Sequence, residues 1–147
     1  MSEFSNDPSQ TSKFSAIVLG SPTEHPQLRA LSGDDRVAIS NLPIDSALLI
    51  VLSGPNEGAR FLLNSDVTTA GRSTRQDIFL DDVTVSRKHA QFVRENGEFF
   101  VRDSHSLNGT YVNRELVDEA KLTDGDEVRI GKFALTFYAS PLKGAAQ

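Results

Sequence analysis

Apolar positions along the first 43 residues occur only as islands, around Phe14 to Leu19, Leu28 to Leu31 and Val37 to Ile39, in a background rich in Ser, Asp, Asn, Gln and Pro. Such a stretch buries too little surface to offset the entropy of ordering it, so residues 1–43 are predicted to be a flexible N-terminal tail. From Ile44 the texture changes: short apolar segments recur at close spacing between turn residues, and none carries a long 3.6-residue period. Ala47 to Leu52, the turn formers Ser53-Gly54-Pro55-Asn56-Glu57-Gly58 and Arg60 to Leu63 read as an opening hairpin. Ala90 to Glu95 and Glu98 to Asp103 flank Asn96-Gly97, and Asn-Gly supplies the positive φ angles of a two-residue type I′ turn. Glu127 to Ile130 and Phe133 to Tyr138 suggest a further hairpin around Gly131-Lys132. Many short strands, hairpin turns and no clear helix imply an antiparallel sandwich or barrel over residues 44–140, with 141–147 as a short C-terminal tail.

Composition narrows the function classes. At 147 residues the chain accommodates one ordinary domain and a tail. With no cysteine it has no disulfide, thiolate zinc site or cysteine nucleophile, which fits a reducing compartment and points to the cytoplasm. The first residues, Met1 to Asp7, are polar and acidic, and the longest apolar run nearby is Ala16 to Leu19, so neither a signal peptide nor a membrane span is expected. A net charge of -5 argues against general affinity for nucleic acid or anionic membrane, both of which need a cationic surface. An anion site must therefore be local. Between Gly71 and His89 the cations Arg72, Arg75, Arg87 and Lys88 outnumber the acids Asp77, Asp81 and Asp82.

Three clusters fall between strand candidates: Gly71-Arg72-Ser73, Val85-Ser86-Arg87-Lys88-His89, and Ser106-Leu107-Asn108-Gly109-Thr110-Tyr111-Val112-Asn113. Loops at one end of a sandwich are the usual place for a binding site. Taken singly, each has a structural explanation: Gly71 as a bulge glycine, Ser86 as a turn hydroxyl, His89 as a packed histidine, Asn108-Gly109 as another hairpin turn. Ser86, His89 and Asp103 supply the residue types of a hydrolytic triad, but no Gly-x-Ser-x-Gly elbow is present. The segment Gly54 to Arg60 lacks the lysine and hydroxyl of a P-loop. The histidines His25, His89 and His105 are scattered, so no metal site and no cofactor are expected.

In combination and order, Gly-Arg, Ser-x-x-His, Asn-Gly-Thr and a further Asn resemble the signature of the forkhead-associated (FHA) domain, over about residues 46–139. The resemblance implies an eleven-stranded antiparallel β-sandwich whose apical loops bind phosphothreonine peptides or proteins without chemical turnover. A phosphothreonine carries roughly -1.5 to -2 charges and three acceptor oxygens. Arg72 and Arg87 can supply charge-assisted donors, and Ser86 a hydroxyl. Asn108 can pair with the ligand's backbone. Leu107 lies beside it in the same loop. Gly71, His89, Gly109, Thr110 and Asn113 are expected as structural support.

Ser46 to Leu63, Asp77 to Phe92 and Leu107 to Phe137 are similar to a subgroup of that family, the actinobacterial glycogen accumulation regulators or oxoglutarate dehydrogenase inhibitors. The resemblance implies a monomer that binds enzymes such as 2-oxoglutarate dehydrogenase and those of glutamate metabolism. It also implies release when a serine/threonine kinase phosphorylates a tail threonine, which then docks on the domain of its own chain. The subgroup's acceptor motif runs Thr-Thr-Ser-Val-Phe-Arg-Ala behind acidic residues. Thr11-Ser12-Lys13-Phe14-Ser15-Ala16 overlays its later part, with Gln10, Lys13 and Ser15 replacing Thr, Val and Arg and no acidic run before it. Thr11 is the candidate acceptor. The competing expectation is a generic adaptor that recruits phosphorylated partners without self-inhibition.

Overall fold

The structure, a computed structural model, describes residues 31–142. A short helix, α1 (Gly33–Ser40), precedes eleven strands. They are β1 (Ala47–Ser53), β2 (Arg60–Leu63), β3 (Val67–Gly71), β4 (Ile78–Phe79), β5 (Ala90–Glu95), β6 (Glu98–Asp103), β7 (Thr110–Val112), β8 (Glu115–Val117), β9 (Glu119–Leu122), β10 (Glu127–Ile130) and β11 (Phe133–Ala139). They form a six-stranded sheet in the order β2-β1-β11-β10-β7-β8 and a five-stranded sheet in the order β4-β3-β5-β6-β9. The expected eleven-stranded sandwich is thus present. One two-residue pairing, β3 with β4, runs parallel, because the loop after Gly71 crosses over before Ile78 pairs with Ala70.

The strands form where period-2 patterning lets one face enter the core. Phe92, Phe99 and Val101 of the five-stranded sheet meet Leu49, Ile130, Leu135 and Phe137 of the other, all in one buried cluster. The rings of Phe99 and Phe137 stand 5.5 Å apart, tilted at 57°, and join β6 to β11 across the layers. The β5–β6 hairpin closes as its sequence dictates, with Asn96 at φ 55° and Gly97 at φ 77°. Asn113 and Arg114, at φ 50° and 74°, turn β7 into β8 in the same way.

The expectation of an unordered tail through residue 43 fails over its last part. Ser32 caps α1: its hydroxyl accepts from Asp35 N–H at 3.0 Å while the Asp35 carboxylate accepts from Ser32 N–H at 3.2 Å. The same carboxylate holds Arg60 of β2 at 2.8 Å. Leu42 is buried, and its carbonyl accepts from Ser140 Oγ at 3.0 Å. These contacts tie the segment to β2 and to the residue that follows β11. Arg60 pairs with Ile50, and Ile50, Leu48 and Tyr138 lie outside the core cluster yet are buried. Burial of both faces explains why β1 reads as a continuous apolar run, Ala47 to Leu52, rather than an alternating one. Regular structure in the described residues therefore begins before Ile44, with α1 at Gly33 and its cap at Ser32. Residues 1–30, including Thr11, and 143–147 lie outside the described residues.

Candidate functional site

The loops 71–77, 80–89, 104–109 and 131–132 meet at one end of the sandwich, and hydrogen bonds fasten them to each other. Gly71 ends β3 where the 85–88 segment passes so closely that a Cβ would lie 2.1 Å from the Arg87 carbonyl oxygen. Close approach of backbone, rather than a bulge, thus requires glycine there. Arg72 N–H donates to Ser86 O at 2.9 Å and Arg72 Nε donates to Val85 O at 3.1 Å. The stem is fixed by these two bonds. The terminal nitrogens of the exposed guanidinium have no hydrogen-bond or ion partner among the described residues.

Ser86 N–H donates to His89 Nδ1 at 3.0 Å, and His89 Nε2 lies 2.8 Å from Gly109 O. Since Nδ1 accepts, Nε2 must carry the proton, so the ring is held as one neutral tautomer, fully buried, between two loops. Ser86 Oγ accepts from Leu107 N–H at 2.9 Å, which leaves its own proton to donate. Asn108 Nδ2 donates to Thr84 O at 2.9 Å. One amide proton is thereby used, leaving the other and Oδ1 for a ligand. Leu107 is 89% exposed and Arg87 is exposed with no ion partner among the described residues.

Beneath the third loop, Asp103 gathers Ser106 Oγ, Ser106 N–H at 3.0 Å and Thr110 Oγ1 at 2.7 Å, and Ser106 Oγ accepts from Gly109 N–H at 2.9 Å. Burial pushes the Asp103 carboxyl up, but hydrogen bonds from Ser106 and Thr110 outweigh it and hold it below the usual carboxylate range. Asp82 stays charged for a similar reason, since the Thr84 hydroxyl and N–H both donate to it. Thr84 Oγ1 in turn accepts from Lys132 N–H at 3.0 Å.

Arg72, Ser86, Arg87, Leu107 and Asn108 are therefore brought together at one end, with Gly71, His89, Gly109 and Thr110 beneath them. Thr110 to Val112 belong to strand β7 rather than to a loop. Asn113 stands apart. Expected to shape the third loop, it braces the opposite end instead: its amide donates to Asp126 at 3.0 Å and its oxygen accepts from Glu127 N–H at 3.0 Å. Sequence reasoning missed Thr84, Ser106 and the supporting role of Asp103. Only the Asp103-x-x-Ser106 turn spacing hints at any of them.

A triad is not wired. Both His89 nitrogens face backbone groups, so neither is left to take the Ser86 hydroxyl proton, and Asp103 serves Ser106 and Thr110. What the arrangement can do is hold an anion beside an extended backbone: a hydroxyl donor, two cations and a primary amide on rigid supports. Among the described residues no group of three or more His, Cys, Asp or Glu could hold a metal, and no helix is long and apolar enough to cross a membrane.

Comparison with known proteins agrees. The profile described as the FHA domain matches residues 68–131. Glycogen accumulation regulator GarA of Mycobacterium tuberculosis is 56% identical over 137 residues, covering 91% of this chain and 82% of that protein. The oxoglutarate dehydrogenase inhibitor of Corynebacterium efficiens is 54% identical over 131 residues, covering 89% of each. Among solved structures, one described as a structural and functional analysis of phosphothreonine-dependent FHA domain interactions superposes with a TM-score of 0.61 at 30% identity, over 66% of this chain and 99% of that one. Mycobacterium tuberculosis EmbR, in complex with a low-affinity phosphopeptide, gives 0.60 at 32% identity, over 68% of this chain and 26% of that one. The chain is an FHA-domain binding protein and belongs with the glycogen accumulation regulators and oxoglutarate dehydrogenase inhibitors.

Proposed function

We propose that the apical site binds phosphothreonine, with Ser86 and Arg72 as its principal phosphate donors, Arg87 as a second cation, Asn108 on the ligand backbone and Leu107 at the rim. The single observation that carries this reading is the Leu107 N–H bond to Ser86 Oγ: the oxygen is engaged as an acceptor, which leaves the hydroxyl proton for a ligand beside the Arg72 head. Most of the binding energy then comes from one doubly charged group. A micromolar dissociation constant corresponds to about -8 kcal/mol, and removing the phosphate takes most of it away.

The protein acts in the cytoplasm as a monomeric, phosphorylation-switched regulator of 2-oxoglutarate dehydrogenase and glutamate-metabolism enzymes. Support comes from relatives over half identical along nearly the whole chain that bear regulator and inhibitor names. A serine/threonine kinase phosphorylates Thr11, and the modified tail occupies the domain's own site. Twenty residues separate Thr11 from Leu31, enough to span about 70 Å when extended, against a radius of gyration of about 13 Å for a domain of this size. Tethering raises the tail's effective concentration to the millimolar scale.

The test is capture from native lysate by unphosphorylated and kinase-treated protein. Enzymes of 2-oxoglutarate and glutamate metabolism should be retained by the first and released from the second, and Thr11→Ala should abolish the release. Retention only of phosphorylated proteins, with no effect of kinase treatment, would favour the recruiting adaptor.

A further inference from the structure

The cations of the described residues divide into two sets. Arg60, Arg94, Arg102, Lys121 and Arg129 each pair with a carboxylate. Arg72, Arg75, Arg87, Lys88 and Lys132 make no ion pair among the described residues, and all five stand on the apical loops. Of the rest, Arg114 has none either but sits in the β7–β8 turn, away from the site. The same loops carry three acids, Asp77, Asp81 and Asp82, against these five cations, and two of the three are engaged in hydrogen bonds. Asp77 accepts from Thr69 N–H at 3.0 Å and from Thr69 Oγ1, and Asp82 accepts from Thr84.

One phosphate of charge roughly -1.5 to -2 is matched by Arg72 and Arg87. Further cations remain, and Arg75 has the clearest address. Ser73 N–H donates to Arg87 O at 3.3 Å while Ser73 Oγ accepts from Arg75 N–H at 3.2 Å. Hydrogen bonds thus link Arg75 through Ser73 to Arg87, whereas Asn108 is joined to the other side of Ser86 through Leu107 and Thr84. Lys132, on the Asn108 side, already feels the charge of Asp82. Arg75 makes no ion pair among the described residues.

We infer that the site selects phosphothreonine segments carrying an additional acidic side chain on the flank away from Asn108, and that Arg75 is the specificity-determining residue for it. An acidic flank thus marks the preferred phosphothreonine ligands of the site and is not a condition for binding. This rests on the phosphothreonine reading above and adds a charge preference to it. An exposed ion pair contributes up to about fivefold in affinity, more at low ionic strength, where screening over about 10 Å is relaxed.

The experiment titrates the full chain with three phosphothreonine peptides of one sequence, carrying two Glu before the phosphothreonine, two Glu after it, or Gln at all four positions. One Glu peptide should bind about three- to tenfold tighter than the Gln peptide at low salt. Arg75→Ala should erase that gain while leaving Gln-peptide affinity within about twofold, and Lys121→Ala, which removes a cation already paired with Glu98, should leave the gain intact. Equal affinity for all three peptides, or a gain that survives Arg75→Ala, overturns the inference while leaving phosphothreonine binding standing. Failure of all three phosphopeptides to bind, or binding unchanged when the phosphate is removed from them, overturns the phosphothreonine reading itself.

Discussion

The two ends of this sandwich use similar residues to opposite effect. At the basal end, polar side chains close on each other: Asp126 takes Asn113, Thr123 N–H and Thr123 Oγ1, Arg94 takes Asp66 and the Asp45 carbonyl, and Lys121 takes Glu98. At the apical end the loops also fasten to one another, yet mostly through backbone groups and the stems of side chains. The Arg72 head, the Ser86 proton and part of the Asn108 amide are left free. A hydrogen bond satisfied within the fold contributes to stability, whereas one held open on a rigid frame is available to a ligand. The difference between a brace and a site here lies in which atoms of a polar residue are already spent.

Substitutions should separate the two ends, most sharply at the free donors. Ser86→Ala or Arg72→Ala should reduce phosphopeptide affinity by 100-fold or more in calorimetric titration while costing at most about 1 kcal/mol in urea unfolding. His89→Ala should damage both properties. It removes two hydrogen bonds and leaves a buried void, so a loss of about 2–4 kcal/mol in stability and weakened binding are expected.

Asp126→Ala at the basal end should cost about 1–3 kcal/mol of stability, because Asn113 and the Thr123 N–H lose their acceptor, with phosphopeptide affinity unchanged. A matching loss of affinity would erase the distinction drawn between the ends. Smaller still is the α1 anchor: Asp35→Ala should cost about 1 kcal/mol through the lost cap and the half-exposed Arg60 pair. Amide exchange should rise in residues 33–42 and stay constant in 84–109.

Acid and alkali probe the same comparison most gently. The lowered pKa of Asp103 means that its folded form favours the charged carboxylate, so its contribution is present above the ordinary value of 3.8 and is lost as pH falls through the lowered one. Amide shifts of Ser106 and Thr110, whose side chains bond Asp103, should therefore show a transition below about pH 4. On the α1 side, burial, with the charges of Asp124 and Asp35, pushes Tyr138 up to about 12. Its contribution is complete below its ordinary value of 10 and disappears as pH rises toward about 12, so unfolding should begin in that window.

The hairpins were legible because their information is local. Asn96-Gly97 fixes a turn and its alternating flanks fix β5 and β6 to the residue. Strands β3, β4 and β7 to β9 were not, since they are two to five residues long and several lie at sheet edges, where pairing rather than pattern makes a strand. Helix α1 escaped notice as well. Eight residues with few apolar positions do not make a stable helix alone, and its order depends on Arg60 and Ser140, 25 and 98 residues away from their partners.

By itself the sequence determined the sandwich, the identity of the loops and the residue types facing a ligand, because alternation, turn chemistry and charge are properties of neighbouring positions. Only the tertiary structure decided which atoms remain free. It spent Asn113 on the far turn, fixed the His89 tautomer between Ser86 and Gly109, and drew the Leu107 N–H onto Ser86 so that the serine proton is left to donate. Each of those outcomes is a hydrogen bond between segments distant along the chain, and a donor's partner across such a distance is set by packing rather than by the residues beside it.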